Sequence, residues 1–319
     1  MLSSSSPRQI PGSYRESFMF RAFAPMKSAI RRVTRRIGCD IVRVRSEDED
    51  PSLEIYREMY RDEVLARKPF YNVGAGAFRH PYWTNVDKPS DWYAKVQDQQ
   101  ALIAYDLMAL DPLPIESDSA EIVYSSHTLE HITNQAANWF FTESFRILRR
   151  GGILRVTVPD AELFYRALQN GDRHFDSMVR IYNTAEKARS ICVDRPANEL
   201  SNQQLFLWRM ATSTSVNHLD GSPERITDEQ LDDALATRGL EKTLDFCISK
   251  CDLEVQQRNP GNHINWWTFD KFKQMLEAVG FSPVLRSAFG QSASPLLRDT
   301  RKFDNTHPEF SLYIEVAKP

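Results

Sequence analysis

Along residues 52–66, SLEIYREMYRDEVLA, apolar side chains recur at Leu53, Tyr56, Met59, Tyr60 and Val64. That spacing places them on one face of a helix. From residue 69 the pattern changes to short apolar runs rich in β-branched and aromatic residues. Phe70-Tyr71-Asn72-Val73 is a strand that Gly74-Ala75-Gly76 ends, and Trp83-Thr84-Asn85-Val86-Asp87 is a second that closes on an acid. Ala101 to Asp106 is a third, again closing on an acid, and Glu121 to Ser125 a fourth. A helix over 135–149, read as closed by Gly151-Gly152, precedes a fifth strand at Ile153–Val158 that Pro159 stops. Residues 161–260 break this rhythm with a mostly helical pattern. It returns as a helix capped by Thr268 and ended by Gly280, a sixth strand at 281–285 and a seventh at 310–316. Strands alternating with helices predict an α/β fold with a largely parallel sheet. The predicted parts are an extension over 1–68, a Rossmann-like core over 69–160, a helical insertion or substrate cap over 161–260, and the rest of the core over 261–319.

Composition adds little to this picture: 319 residues, 41% hydrophobic and 26% charged, suit an ordinary globular chain, and a net charge of −3 does not call for nucleic acid. The charge distribution says more. Residues 1–45 carry ten Arg and Lys against only Glu16 and Asp40, a partly disordered basic arm with a helix over 16–37. Such an arm suits peripheral contact with an acidic membrane surface. Cys39, Cys192, Cys247 and Cys251 are too scattered for a disulfide framework, and no paired Cys or His-x-His pattern accompanies Cys247 and Cys251, so no metal is expected. No apolar run reaches the length of a membrane span, and the expected compartment is the cytoplasm.

In a parallel sheet, ligands bind beyond the carboxyl ends of the strands. The residues there are Gly74, Ala75 and Gly76, Asp87, Asp106 with Leu107, Ser126 and His127, and Asp160. Glycines after the first strand allow a sharp turn and a close approach to a ligand. The third glycine of the dinucleotide fingerprint is missing, since Phe78 and Arg79 occupy that stretch, and no Tyr-x-x-x-Lys pair occurs, which weighs against a nicotinamide-dependent enzyme. Asp87 follows Gly76 by eleven residues, so the first crossover is a loop or a very short helix. For proton removal the candidates are His127, His131, His263 and Asp160. His127 is preferred for its place at a strand end. It shares a face with His131 if SSHTLEHI is helical. His263 and Asn265 suit a lid, and Trp266 and Trp267 suit either a stacking surface or the core.

Taken in order, FYNVGAGAF, TNVDK, DLMALDPLPIESDS, YSSHTLEHI, FRILRRGGILRVTVPD, NHINWWTFDKFKQMLEAVGF and FDNTHPEFSLYIEVAKP resemble the class I methyltransferases that use S-adenosylmethionine. More closely, they resemble a bacterial branch with SSH…LEH and VPD motifs, over roughly residues 69–319. The resemblance implies a seven-stranded sheet with an antiparallel last strand. It implies that Gly74 and Gly76 line the methionine part of the cofactor and that Asp87 holds the ribose. Asp106 and Leu107 would hold the adenine, and Ser126 and His127 would lie below the sulfonium. The branch is associated with surface polysaccharide and glycolipid genes, so the expected acceptor is a sugar or other small-molecule hydroxyl. The alternative is a methyltransferase-like module that binds without turnover, whose mark would be loss of the glycines or of the acids at 87 and 106.

Overall fold

The computed structural model describes residues 52–89 and 102–319. The predicted basic arm and its helix over 16–37 lie outside these residues. Seven strands form one sheet: β1 (Phe70–Val73), β2 (Trp83–Asp87), β3 (Leu102–Ala104), β4 (Ala120–Ser126), β5 (Leu148–Pro159), β6 (Leu285–Ser287) and β7 (Ser311–Ala317), in the order β3-β2-β1-β4-β5-β7-β6. Six strands run parallel, and β7 runs antiparallel to both neighbours. The fold is α/β and Rossmann-like, as the alternation of strands and helices predicts.

Alternation along the strands feeds two apolar layers. Val73, Val86, Val123 and Val156 face a cluster built with Phe140 and Phe141 of the helix Asn134–Ile147, and with Trp267, Phe272 and Leu276 around the helix Phe269–Val279. Phe70, Trp83, Ile122 and Tyr124 face the other way, onto Tyr56, Leu296, Leu297 and Phe303. The helices between Ala161 and Arg258 bury a separate cluster around Phe164, Phe206, Leu244 and Trp266.

Several local expectations change. The helix read over 52–66 is two helices, Ser52–Met59 and Asp62–Ala66, because Arg61 is extended and starts the second. Gly151 and Gly152 do not cap a helix: the helix ends at Ile147 and both glycines lie within β5. A Cβ on Gly152 would sit 3.0 Å from the Ala120 carbonyl and 2.9 Å from that of Arg149, so the glycine serves the irregular pairing of β4 with β5. The sixth strand is displaced to Leu285–Ser287. Phe281 is instead a core anchor, edge-on to Phe145 at 5.0 Å. No helix lies between β1 and β2, in agreement with the short spacing from Gly76 to Asp87. The cap of the helix Phe269–Val279 is as predicted: Thr268 Oγ1 accepts from Lys271 N at 3.2 Å and Gly280 is left-handed at φ +114°.

Candidate active site

The strand order reverses direction between β1 and β4, which creates a crevice at their carboxyl ends. A cleft of about 420 Å³ opens there, lined by Asn72, Gly74 and Ala75 from the β1 side, Tyr124 and Ser126 from β4, and Thr306 from the loop before β7. Arg79, Arg301 and Lys302 also line it, Arg301 being paired with Asp299 at 2.7 Å.

The β1 side is shaped by glycine and by one carboxylate. Gly74 has φ +71°, and a Cβ there would meet Thr128 Oγ1 at 2.1 Å, so both conformation and space demand glycine. Gly76, at φ +53°, would direct a Cβ into open space. Its N–H donates to Asp87 Oδ2 at 2.8 Å, while Asp87 Oδ1 accepts from Lys88 N at 2.8 Å. Asp87 thus ties the end of β2 to the glycine turn and remains half-buried. Asp106 caps the short turn Leu107–Ala109 through Met108 N at 2.9 Å, and its other oxygen pairs with Lys88 Nζ at 2.7 Å. Leu107 is buried in the core beside it. Asn72 Oδ1, buried in the cleft lining, has no hydrogen-bond partner. A glycine cradle beside an orphaned acceptor fits a ligand that brings an N–H donor, such as the amino acid end of S-adenosylmethionine.

Across the crevice, Ser126 Oγ and Thr157 Oγ1 share a hydrogen bond at 2.8 Å. His127 follows with φ +50°, its N–H donating to the Thr157 carbonyl. It is therefore not on a helix with His131; residues 129–131 form a separate 3-10 turn. The two histidines converge instead on Glu130. His127 Nδ1 lies 3.1 Å from Glu130 Oε1, and His131 Nε2 lies 4.0 Å from it. Glu130 is 1% exposed, and neither of its oxygens has a well-aligned hydrogen bond. Burial alone would raise its carboxyl, but the charge and hydrogen-bonding capacity of His127, with His131 and His263 behind, hold it down at about 2. The other ring nitrogen of His127, Nε2, is 2.8 Å from Ser311 Oγ. Ser311 has a single proton and also lies 2.7 Å from the His307 carbonyl. His127 is not part of the cleft lining; it sits beside it, next to Ser126.

The remaining predicted residues are placed as follows. Asp160 is spent as a cap: Oδ1 accepts from Glu162 N and Leu163 N, and Oδ2 from Arg286 at 2.9 Å. It offers no open carboxylate for proton transfer. His263 is T-shaped to His131 at 4.8 Å, and burial together with His131 pushes it down to about 3. Asn265 is no lid residue: it is 1% exposed, donates to the Ile132 carbonyl and accepts from Lys271 Nζ. Trp266 and Trp267 are core, the former donating to Asp245 at 3.1 Å and the latter stacked on Phe272 at 4.3 Å.

Sequence reasoning missed the partners rather than the motifs. Glu130 is visible only as the middle of LEH, Thr128 and Ser311 only as ordinary polar positions. Arg155 gave no signal at all: it is fully buried in β5, bound by Asp304 through two nitrogens and by Glu315 at 3.0 Å.

Residues 82–156 match the model of a family described as a methyltransferase domain. No curated protein matches the chain significantly. Among solved structures it is similar to a possible histamine N-methyltransferase from Thermotoga maritima, described as SAM-dependent. That match has 12% identity and a TM-score of 0.34, over 86% of this chain and 97% of that one. A SAM-dependent methyltransferase from Mesorhizobium loti matches at 12% identity and 0.34, over 85% and 100%. Phosphoethanolamine N-methyltransferase 2 from Haemonchus contortus, solved with S-adenosyl-L-methionine, matches at 9% and 0.33, over 78% and 48%. Similarities at this level decide neither the acceptor nor the site residues.

Proposed function

We propose that this chain, whose residues 82–156 match a methyltransferase domain model, takes S-adenosylmethionine as its methyl donor and methylates a hydroxyl oxygen of a sugar or another small polar molecule. The observation that supports this reading is a glycine cradle on β1 lining the cleft, with a carboxylate-backed histidine after β4 beside that cleft, next to Ser126. A neutral hydroxyl must lose a proton as it reacts, and an imidazole held by a carboxylate is suited to take it.

The donor, when bound, supplies an electrophilic methyl group. Gly74, Ala75 and Gly76 let the backbone approach it, and Asn72 accepts from its amino group. Asp87 accepts from the ribose hydroxyls, Asp106 accepts from the adenine amine with Leu107 packed beside the ring, and Ser126 borders the reacting end. Glu130 lies against Nδ1 of His127 and orients the ring, and Nε2, which faces Ser311 Oγ, is the nitrogen that an acceptor hydroxyl would approach. Thr306 and Asn305 line the acceptor side with polar groups, and Lys302 adds a cationic group at the same wall.

Calorimetric titration with S-adenosylmethionine and S-adenosylhomocysteine, with NAD as control, tests the donor site. Micromolar binding that Asp87→Ala weakens by at least about tenfold is expected, since a bidentate pair of charge-assisted hydrogen bonds is lost. Transfer of labelled methyl to a panel of mono- and oligosaccharides then tests the acceptor. His127→Ala should keep donor binding and abolish transfer; full activity in that variant overturns its assignment as base. A folded sample that binds neither donor nor product overturns the enzyme reading in favour of a scaffold.

A further inference from the structure

Glu130, His131 and His263 come from two segments more than a hundred residues apart, held together by donation from Ile264 N and Asn265 N to the Glu130 carbonyl at 2.8 and 3.1 Å. Both histidines are fixed in the same way. His131 Nδ1 is 2.9 Å from the Asn262 carbonyl, and His263 Nδ1 is 2.7 Å from the Arg209 carbonyl. A carbonyl can only accept, so Nδ1 carries the proton in each ring and Nε2 keeps its lone pair. That is how metal-binding histidines are oriented from behind. Gln256 donates to the His131 and Asn262 carbonyls at 3.1 and 3.0 Å, which locks the loop that carries these contacts.

Between the two rings lies the Glu130 carboxylate, buried, with His127 Nδ1 3.1 Å from Oε1 but out of line for a good hydrogen bond, and with Oε2 lacking a hydrogen-bond partner. An ionised carboxylate taken out of water needs hydrogen bonds or a cation, and His127 alone, on one edge, leaves Oε2 unanswered. The carboxylate oxygen and the two ring nitrogens lie within 4.8 Å of one another. The His131 side chain is 22% exposed, so the cluster opens outward on that side past its buried floor. Arg209, whose carbonyl holds His263, has its guanidinium neutralised by Asp176 at 2.6 and 2.9 Å.

We propose that Glu130, His131 and His263 bind a divalent first-row transition metal ion, with zinc as the probe of choice. Two imidazoles and one carboxylate form a donor set suited to such ions, and three protein ligands leave positions open to water or substrate. The separations exceed those of a formed tetrahedral site, so binding draws the two rings toward the carboxylate. An acceptor hydroxyl coordinated at an open position would be acidified by the ion. That last use deepens the O-methyl transfer reading and rests on it, whereas metal binding itself is measured without any methyl transfer.

The full-length protein, stripped with chelator and dialysed, is titrated with Zn²⁺ by calorimetry and with Co²⁺ by visible absorption. One equivalent and a d–d absorption band are expected. His131→Ala and His263→Ala should each lower the affinity by at least about tenfold, as loss of a metal-site partner does. The exposed His174→Ala should leave both signals unchanged. Should His263→Ala fail to fold by circular dichroism, His131→Ala alone decides, since its side chain is partly exposed at the rim. No band at saturating Co²⁺, or an undiminished band in the folded His131→Ala protein, overturns the site. Titration of the metal-free protein with S-adenosylmethionine separates the two readings. Donor binding without metal binding sinks only the metal site, and metal binding without donor binding sinks only the methyltransferase reading.

Discussion

The two banks of the crevice are built in different ways. On the β1–β2–β3 bank, functional groups meet across short stretches of chain: Gly76 N–H reaches Asp87 over eleven residues, and Lys88 reaches Asp106 over eighteen. The groups there are short, half-exposed or backbone. On the β4–β5–β7 bank the partners are remote. His127 meets Ser311 across 184 residues, Arg155 meets Asp304 across 149, and His131 meets Asn262 across 131. The groups there are buried charges and rings. The first bank is a local device that a sequence can spell; the second exists only when the whole sheet and the insertion have assembled.

If that contrast holds, the largest effect of a single substitution should come from the remote bank. Arg155 is wholly buried and answers two carboxylates, Asp304 and Glu315, as well as the Ala288 carbonyl at 3.0 Å. Arg155→Met would leave both acids buried without their cation. A destabilisation of about 3–5 kcal/mol is expected, the usual result of removing one side of a buried pair. Urea denaturation measures it. A loss under about 1 kcal/mol would mean that water reaches the two acids and that the remote bank is not sealed.

Next in size is Gly74→Ala, on the local bank. A non-glycine residue at φ +71° carries a backbone penalty of about 1–3 kcal/mol, and the new Cβ would also have to displace Thr128. Thermal unfolding should show the cost and calorimetry the loss of donor binding. Gly76→Ala is the internal control: its φ is also positive, but its Cβ meets nothing within 4 Å, so the cost should be only about 1 kcal/mol. Equal effects at the two positions would show that strain, rather than the close approach of Thr128, sets the demand for glycine.

The same contrast explains what could be read beforehand. Strands β1, β2, β4, β5 and β7 and the glycine and acid positions were legible because each depends on a few neighbouring residues: an apolar run, a turn glycine, an acid at a strand end. Placing β6 at Phe281–Leu285 failed because an apolar run does not say whether it pairs or plugs; Phe281 plugs. The glycine pair at 151–152 was misplaced because a glycine signals an unusual backbone or a close contact without saying which. Glu130 and Arg155 could not be recognised because the burial of a charge is decided by which remote residues come to answer it.

Lys271 offers a test through pH on the remote bank. Its amine donates to Asn265 Oδ1 at 2.7 Å and to the Trp266 carbonyl at 2.8 Å, and lies 3.9 Å over the Trp266 ring. Burial pushes it down to about 7, against the pull of Asp245 and Glu241. The folded form then releases its proton near pH 7, whereas the unfolded chain keeps it until about 10.5. Between those values the unfolded state binds more protons, so this group makes stability rise with pH. Lys271→Met should remove that part of the slope, measured as the difference in urea midpoint between the two proteins from pH 7 to 10. Parallel profiles would mean that the two acceptors and the indole face keep the amine charged throughout.

The smallest effect is expected where the local bank has its own ion pair. Lys88 and Asp106 approach to 2.7 Å, but their side chains are 59% and 33% exposed. A pair so open to solvent is worth at most about 1 kcal/mol and is screened by salt. Lys88→Ala should therefore change the urea midpoint slightly at low ionic strength and not at all in concentrated salt, because Asp106 keeps its bond from Met108 N. Donor affinity should stay within a few-fold, since the carboxylate remains in place. A loss comparable to that of Arg155→Met would break the comparison, because it would show that the strand-end acids on this bank also depend on a charge that the neighbouring sequence does not reveal.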